Sequence, residues 1–179
     1  MENEPTPVRI SILKAVLGLL AAVGVTAAIF HFRTSIEQYK AVSYPAIFLI
    51  SVLGNATVIF PAPSYAIAFS GGAVLNPYGV GVAAGLGAAL GELTGYLIGS
   101  SGRVIAKSNL HARFETLITK WGWLTIFGLS LIPNPFFDIG GIVAGMMKMP
   151  VWKFLLATSA GKVIRFTLFG VLGKALFAK

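Results

Sequence analysis

Residues 131–145 read Leu-Ile-Pro-Asn-Pro-Phe-Phe-Asp-Ile-Gly-Gly-Ile-Val-Ala-Gly (LIPNPFFDIGGIVAG). Two prolines bracket an asparagine and an aspartate follows, in surroundings that are otherwise apolar. Proline lacks a backbone donor and disfavours helix for the residue before it, so Pro133-Asn134-Pro135 divides the block. Trp121 to Ile132 and Phe136 to Met147 each hold 12 residues. At 1.5 Å per residue each half measures about 18 Å, well short of a hydrocarbon core of about 30 Å. Neither half spans alone. The spacing predicts a re-entrant hairpin whose tip lies at membrane depth and whose ends share one side. Non-helical backbone at that depth is tolerated only when buried in protein or lining a wet cavity.

The rest of the chain agrees with a membrane setting. Of 179 residues, 56% are hydrophobic and 11% charged, with a mean hydropathy of +0.82. Soluble domains carry about a quarter charged residues. No charged side chain occurs from Ala41 to Gly91, and about 20 apolar residues suffice for a spanning helix. The absence of cysteine excludes disulfides, thiolate catalysis and cysteine-ligated metals. The net charge of +8 sits in short stretches beside apolar runs, which fits anionic headgroups and topology rather than nucleic acid. Arg9 and Lys14 precede the apolar run Ala15 to Phe30. That run is long for a signal peptide and Thr26-Ala27-Ala28 is a poor cleavage site, so we expect an uncleaved spanning helix, roughly Ile10 to Phe32.

A second block carries the same punctuation. Pro61-Ala62-Pro63 is followed by eight residues, Gly72, four residues and Pro77. Pro133-Asn134-Pro135 is followed by nine residues, Gly145, four residues and Pro150. A long apolar helix comes after each, and such self-similarity is a fold-level signal. The expected organisation is an N-terminal helix and polar connector over residues 1–40, then a membrane domain over 41–179. Within it we expect a hairpin at 44–75, a helix at 78–99, a basic loop with an interfacial amphipathic helix at 100–120, a hairpin at 121–148 and a helix at 151–176. The fold class is therefore all-α: a polytopic integral membrane protein with about three spanning helices and two re-entrant hairpins in an inverted repeat. That topology puts Arg9, Lys14, Arg103, Lys107, Arg113, Lys120, Lys148 and Lys153 on one side, and Arg33, Lys40, Lys174 and Lys179 on the other. The bias of eight to four predicts a cytoplasmic N-terminus. The two hairpins then enter from opposite faces, as in many transporters.

The polar residues inside apolar segments are the candidate site. Asn134 and Pro135 suit the N-cap and first position of a half-helix, whose positive dipole end can receive a phosphate or carboxylate. Asn134 could equally serve only to satisfy free amides at the break. Asp138 falls in the first turn, protonated or paired with Lys162 or Arg165. Glu92, Lys162 and Arg165 lie within spanning helices, where a basic residue costs at least about 2.5 kcal/mol on insertion scales. They should face the interior and pair. Anchoring the repeats at their prolines aligns Glu92 with Arg165, and we expect an ion pair there, of static or functional kind. Gly87, Gly91, Gly95 and Gly99 recur every four residues, a surface for close helix packing, and Trp121, Trp123 and Trp152 suit interfacial anchors. No histidine spacing suggests a metal and no nucleophile has a partner base, so we expect no cofactor, no metal and no enzymatic activity.

Three stretches carry a family resemblance: FPAPSYAIAFSGGAVLNPYG, GAALGELTGYLIG and LIPNPFFDIGGIVAGMMKMPVWKFLLATSAGK. Together they resemble the VTT-domain family, which includes the DedA-like and the SNARE-associated Golgi proteins. The resemblance covers roughly residues 45 to 175. Its most specific parts are Gly91, Glu92, Tyr96 and Gly99, and the P-N-P-x-x-D hairpin. It implies paired re-entrant hairpins and movement of lipids or lipid-linked anionic carriers, in service of membrane homeostasis. With the polar residues above, we expect a lipid path through Asn55, Ser64, Glu92, Asn134, Asp138, Lys162 and Arg165. The implied partners are membrane lipids, with protons or other ions as candidate couplers; the oligomeric state stays open, a homo-oligomer included. The implied home is the plasma (inner) membrane. Where DedA-like members have acidic residues at the first hairpin, this chain has Asn55, Pro63 and Ser64. Where they have arginines at the second, it has Ser130 and Phe136. The other classes open to these residues are an ion-coupled exporter of small solutes and a non-transporting scaffold.

Overall fold

The computed structural model describes residues 7–56, 62–102, 109–133 and 137–177. Pro61, Asn134 and Pro135 lie outside them, as do Arg103, Lys107 and the side chains of Pro63 and Asp138. Among the described residues the protein is all-helical, without strands. Helix α1 (Pro7–His31) leads through α2 (Arg33–Gln38) to α3 (Lys40–Ala56) and α4 (Ala62–Val74). Then come α5 (Pro77–Gly91), α6 (Leu93–Ser100), α7 (Asn109–Trp121), α8 (Trp123–Leu131), α9 (Phe137–Met146) and α10 (Val151–Phe177). The stretch read as a polar connector is itself helical, with Arg33 Nε 3.1 Å from Glu37 Oε1 one turn on. That i, i+4 spacing favours a helix even in a short polar segment.

Local chemistry sets the boundaries. Asn76 caps α5, its side-chain oxygen accepting from the amides of Tyr78 (2.9 Å) and Gly79 (3.4 Å), with Pro77 in the first helical position. Gly122 turns the chain between α7 and α8 with φ +57°, a conformation that favours glycine. α7 is amphipathic. It buries Phe114 and Ile118 and leaves Arg113, Glu115 and Lys120 exposed.

Among the described residues, two stretches are long and apolar enough to cross a membrane: Pro77–Ser100 (α5 running into α6, 24 residues) and Val151–Phe177 (α10, 27 residues). At 1.5 Å per residue they measure about 36 and 40 Å. They run antiparallel, since a Cβ on Gly81 would strike Thr167 and one on Gly85 would strike Val163. The shorter helices attach to this pair in matching ways. α3 runs parallel to α5, with Gly87 against Phe48 and Ser51 and Gly91 against Val52, Asn55 and Ala56. α8 runs parallel to α10 in the same manner, with Gly161 against Phe127, Ser130 and Leu131, and Arg165 further on bonded to the Ile132 carbonyl. α4 crosses to α10, pairing Gly72 with Gly170 and Phe69 with Gly173; α9 crosses to α6, pairing Gly145 with Tyr96 and Ser100 and Ile142 with Gly99. The α3–α5 contact thus resembles the α8–α10 contact, and the α4–α10 contact resembles the α9–α6 contact.

The apolar core divides into two clusters. One gathers Ile47, Ile67, Val80, Ala84, Ala88 and Phe166; the other gathers Tyr96, Phe114, Ile126, Val143, Phe154 and Ala157. Along α10 the members of the two clusters are separated by Lys162 and Arg165, and along α5–α6 by Glu92. The outside is inverted relative to a soluble protein. Leu53 (68%), Leu156 (63%) and Leu168 (63%) are exposed, whereas Lys162 is 1% exposed. A contiguous apolar exterior marks a membrane or partner surface.

Candidate functional site

One short helix of each half, α3 and α8, ends partway along a long one, and its closing carbonyl meets a side chain. Thr94 Oγ1 donates to the carbonyl of Ala56, the last residue of α3, at 3.1 Å. Arg165 Nη1 donates to the carbonyl of Ile132, which closes α8, at 3.2 Å. A helix end leaves its final carbonyls without intrahelical partners, and in an apolar interior each would cost free energy if left open. The polar groups on the long helices therefore converge on the places where the chain breaks.

Lys162 is the hub. Its ammonium donates to Glu92 Oε1 (2.6 Å), Asn55 Oδ1 (3.0 Å) and the carbonyl of Ala88 (3.3 Å), and it lies 5.1 Å from the centroid of the Phe137 ring. Asn55 continues the chain, its amide donating to Ser64 Oγ (2.9 Å) and to the carbonyl of Ser51 (2.9 Å). Four helical segments thus contribute: Asn55 from the end of α3, Ser64 from the first turn of α4, Glu92 from the α5–α6 junction and Lys162 from the middle of α10. Glu92 and Lys162 are 5% and 1% exposed. A pair this deep is held by direct charge-assisted bonding, and removing one partner strands the other charge.

The carboxylate's partner differs from the expected one. Glu92 bonds Lys162, not Arg165. Proline alignment fixes depth to within a turn but says nothing of azimuth. Residues three apart on α10 differ by about 60° around the helix axis, so Lys162 points at α3 and α5 while Arg165 points at α4 and the end of α8. Glu92 still acts electrostatically on Arg165. The guanidinium carbon of Arg165 sits 5.1 and 5.2 Å from the ring centroids of Tyr65 and Phe166. Its Nε has no hydrogen-bond partner among the described residues, and the same holds for the buried hydroxyls of Ser51 and Thr158.

Of the residues singled out from sequence, Asn55, Ser64, Glu92 and Lys162 form one connected group, and Arg165 lies one turn away. Pro133 is exposed beyond the end of α8, and Asp138 falls in the first turn of α9. The glycines do not form a single face. Gly87 and Gly91 meet α3, Gly99 meets α9, and Gly95 is buried within α6. A four-residue repeat advances about 40° per step on an α-helix, so the stripe winds from one neighbour to the next. Ser51, Tyr65, Thr158 and the Ile132 carbonyl were not anticipated. One signal did exist: Ser51 precedes Asn55 by four residues as Ser130 precedes Asn134, and both serines are fully buried. No group of acidic, histidine or cysteine side chains suited to a metal occurs among the described residues.

The VTT domain matches residues 60–175. The chain is similar to vacuole membrane protein KMS2 of Arabidopsis thaliana, 35% identical over 100 residues covering 45% of this chain and 24% of that protein. It is 30% identical to vacuole membrane protein KMS1 of the same plant over 103 residues, 45% of this chain and 25% of the other. Human vacuole membrane protein 1 is 42% identical over 50 residues, 28% of this chain and 12% of its own length. The matched stretch is thus about a quarter or less of these curated relatives. No solved structure matches the chain.

Proposed function

The chain belongs to the VTT-domain family, and on that premise we propose that it is a polytopic membrane protein that translocates or scrambles lipids or lipid-linked anionic carriers, contributing to membrane homeostasis. In this reading α3–α4 and α8–α9 are re-entrant hairpins of an inverted repeat. Support comes from direction and contact: α3 is parallel to α5 and α8 to α10, so the intervening α4 and α9 return to the side of entry. The hairpins enter from opposite faces because the long helices are antiparallel.

One observation carries the functional reading: a buried Lys162–Glu92 pair, with Arg165 one turn on, at mid-length of two apolar helices. Ionisable residues at that depth mark substrate or ion pathways. An anionic headgroup entering at the helix breaks competes with Glu92 for the Lys162 ammonium, and Asn134, Asp138 and Arg165 complete its path. Glu92, once released, accepts a proton, which couples the cycle to an ion gradient. The polar chain through Asn55 to Ser64 returns the ammonium to its resting place. The chain performs no covalent chemistry, and its partners are lipids and the coupling ion. By the family resemblance it resides in the plasma membrane, and by the distribution of basic residues it has a cytoplasmic N-terminus; its curated relatives are named for the vacuole membrane.

The test is reconstitution into liposomes with a fluorescent phospholipid and an impermeant reductant. Translocation makes the inner-leaflet label accessible, whereas protein-free and unfolded-protein liposomes retain about half. Efflux of a trapped solute with no lipid exposure would select the exporter. A scaffold is favoured by one feature, the three acceptors that hold Lys162, and would move neither label.

A further inference from the structure

The outer wall carries a second feature away from the polar centre. Between the parallel helices α8 and α10 lies a groove of about 630 Å³, lined by Trp123, Leu124 and Phe127 on one side and Trp152, Lys153 and Leu156 on the other, floored by Ala157 and Ala160. Its volume is in the range of small-molecule sites. The walls are apolar and open outward: Trp123, Leu124, Trp152 and Leu156 are 49%, 45%, 61% and 63% exposed. The alanines explain why a trough exists, since bulky residues of both helices rise on either side of side chains that stop at Cβ.

Charge distinguishes this trough from the smaller groove on the other half. Lys153 is part of its lining, its ammonium 5.4 Å from the centroid of the Trp152 ring. Lys120 and Lys148 each lie three residues before the start of a wall helix and are exposed. A smaller groove of about 270 Å³, lined by residues of α1–α4 such as Ile29, Ile47 and Ile67, has no charged residue in its lining. Tryptophan flanked by lysine is the composition of a membrane interface, and basic residues there attract anionic headgroups. We propose that this groove is a binding site for an anionic phospholipid, one acyl chain lying over Ala157 and Ala160 and the phosphate meeting Lys153 at the mouth.

The inference does not rest on translocation; a lipid held here could stay through the whole cycle. Its test is native mass spectrometry of the full chain released from mixed micelles containing equal phosphatidylglycerol and phosphatidylcholine. The wild type should retain phosphatidylglycerol preferentially. Ala160→Trp fills the trough and should lose the retained lipid, with folding checked by thermal melting. Lys153→Gln changes only a surface charge and should keep bound lipid while discrimination falls about fivefold, the effect of about 1 kcal/mol per basic residue near an anionic surface. Equal retention of both lipids by the wild type, or undiminished retention by Ala160→Trp, overturns the proposal. So does a wild-type dimer that Ala160→Trp converts to monomer without loss of lipid, which would give the groove to a second copy of the chain.

Discussion

Replacing Lys162 by methionine removes the ammonium that three acceptors share. Glu92, 5% exposed and bonded to Lys162 at 2.6 Å, would lose that counter-charge in an apolar interior. Asn55 Oδ1 and the Ala88 carbonyl would each lose a donor. Breaking a buried pair from one side typically costs about 3–5 kcal/mol, whereas replacing both partners is often neutral or stabilising by about 1–4 kcal/mol. For a chain of this size about 1 kcal/mol shifts Tm by about 2–4 °C, so the single variant should melt about 6–20 °C below wild type. Glu92→Gln should be milder, because the amide oxygen still accepts from the ammonium. The combined Glu92→Gln, Lys162→Met variant should recover most of the loss, giving a coupling energy on the order of 2 kcal/mol in a double-mutant cycle. Exchange of charges at 92 and 162 should rescue folding better than exchange at 92 and 165. Thermal melting of purified protein in one detergent reads all of these. Single variants within about 0.5 kcal/mol of wild type with no coupling, or rescue confined to the 92/165 exchange, would refute the assignment of partners.

Further substitutions probe the surroundings. Gly91→Leu should abolish folded protein on size-exclusion chromatography, since even a Cβ there would sit 2.5 Å from the Val52 carbonyl oxygen and 2.8 Å from the Ala56 amide. Ser64→Ala should lower stability by only about 0.5–1.5 kcal/mol in the same melting assay, because the Asn55 amide keeps its bond to the Ser51 carbonyl. Gly122→Ala should cost about 1–3 kcal/mol through its φ of +57° and ψ of −129° although its Cβ would meet nothing within 4 Å; a neutral result would mean the α7–α8 turn relaxes.

Sequence reading reached the helices through punctuation and length. Asn76-Pro77 and the proline pairs stop or start helices by lost donors and fixed φ, which is chemistry local to a few residues. The ends of the long helices follow from the same signals: α5–α6 was expected at 78–99 and occupies 77–100, and α10 was expected at 151–176 and occupies 151–177. Partner choice was not legible. Whether Glu92 meets Lys162 or Arg165 depends on rotation about α10, set by how Thr167 and Val163 pack on Gly81 and Gly85. The Ser51–Asn55 and Ser130–Asn134 echo escaped because its offset is 79 residues while the prolines repeat at 72 or 73. Ser51 and Ser130 also look unremarkable without knowing that both are buried.

The most direct test of the account is lipid exposure in liposomes by the folded double variant Glu92→Gln, Lys162→Met beside wild type. Removing both partners together keeps most of the wild-type stability, and both proteins are assayed at a temperature where each stays folded. The account predicts rapid exposure of inner-leaflet label by wild type and a rate at least tenfold lower for the variant. Equal rates from two equally folded proteins would show that the buried charges hold the helices together and move nothing.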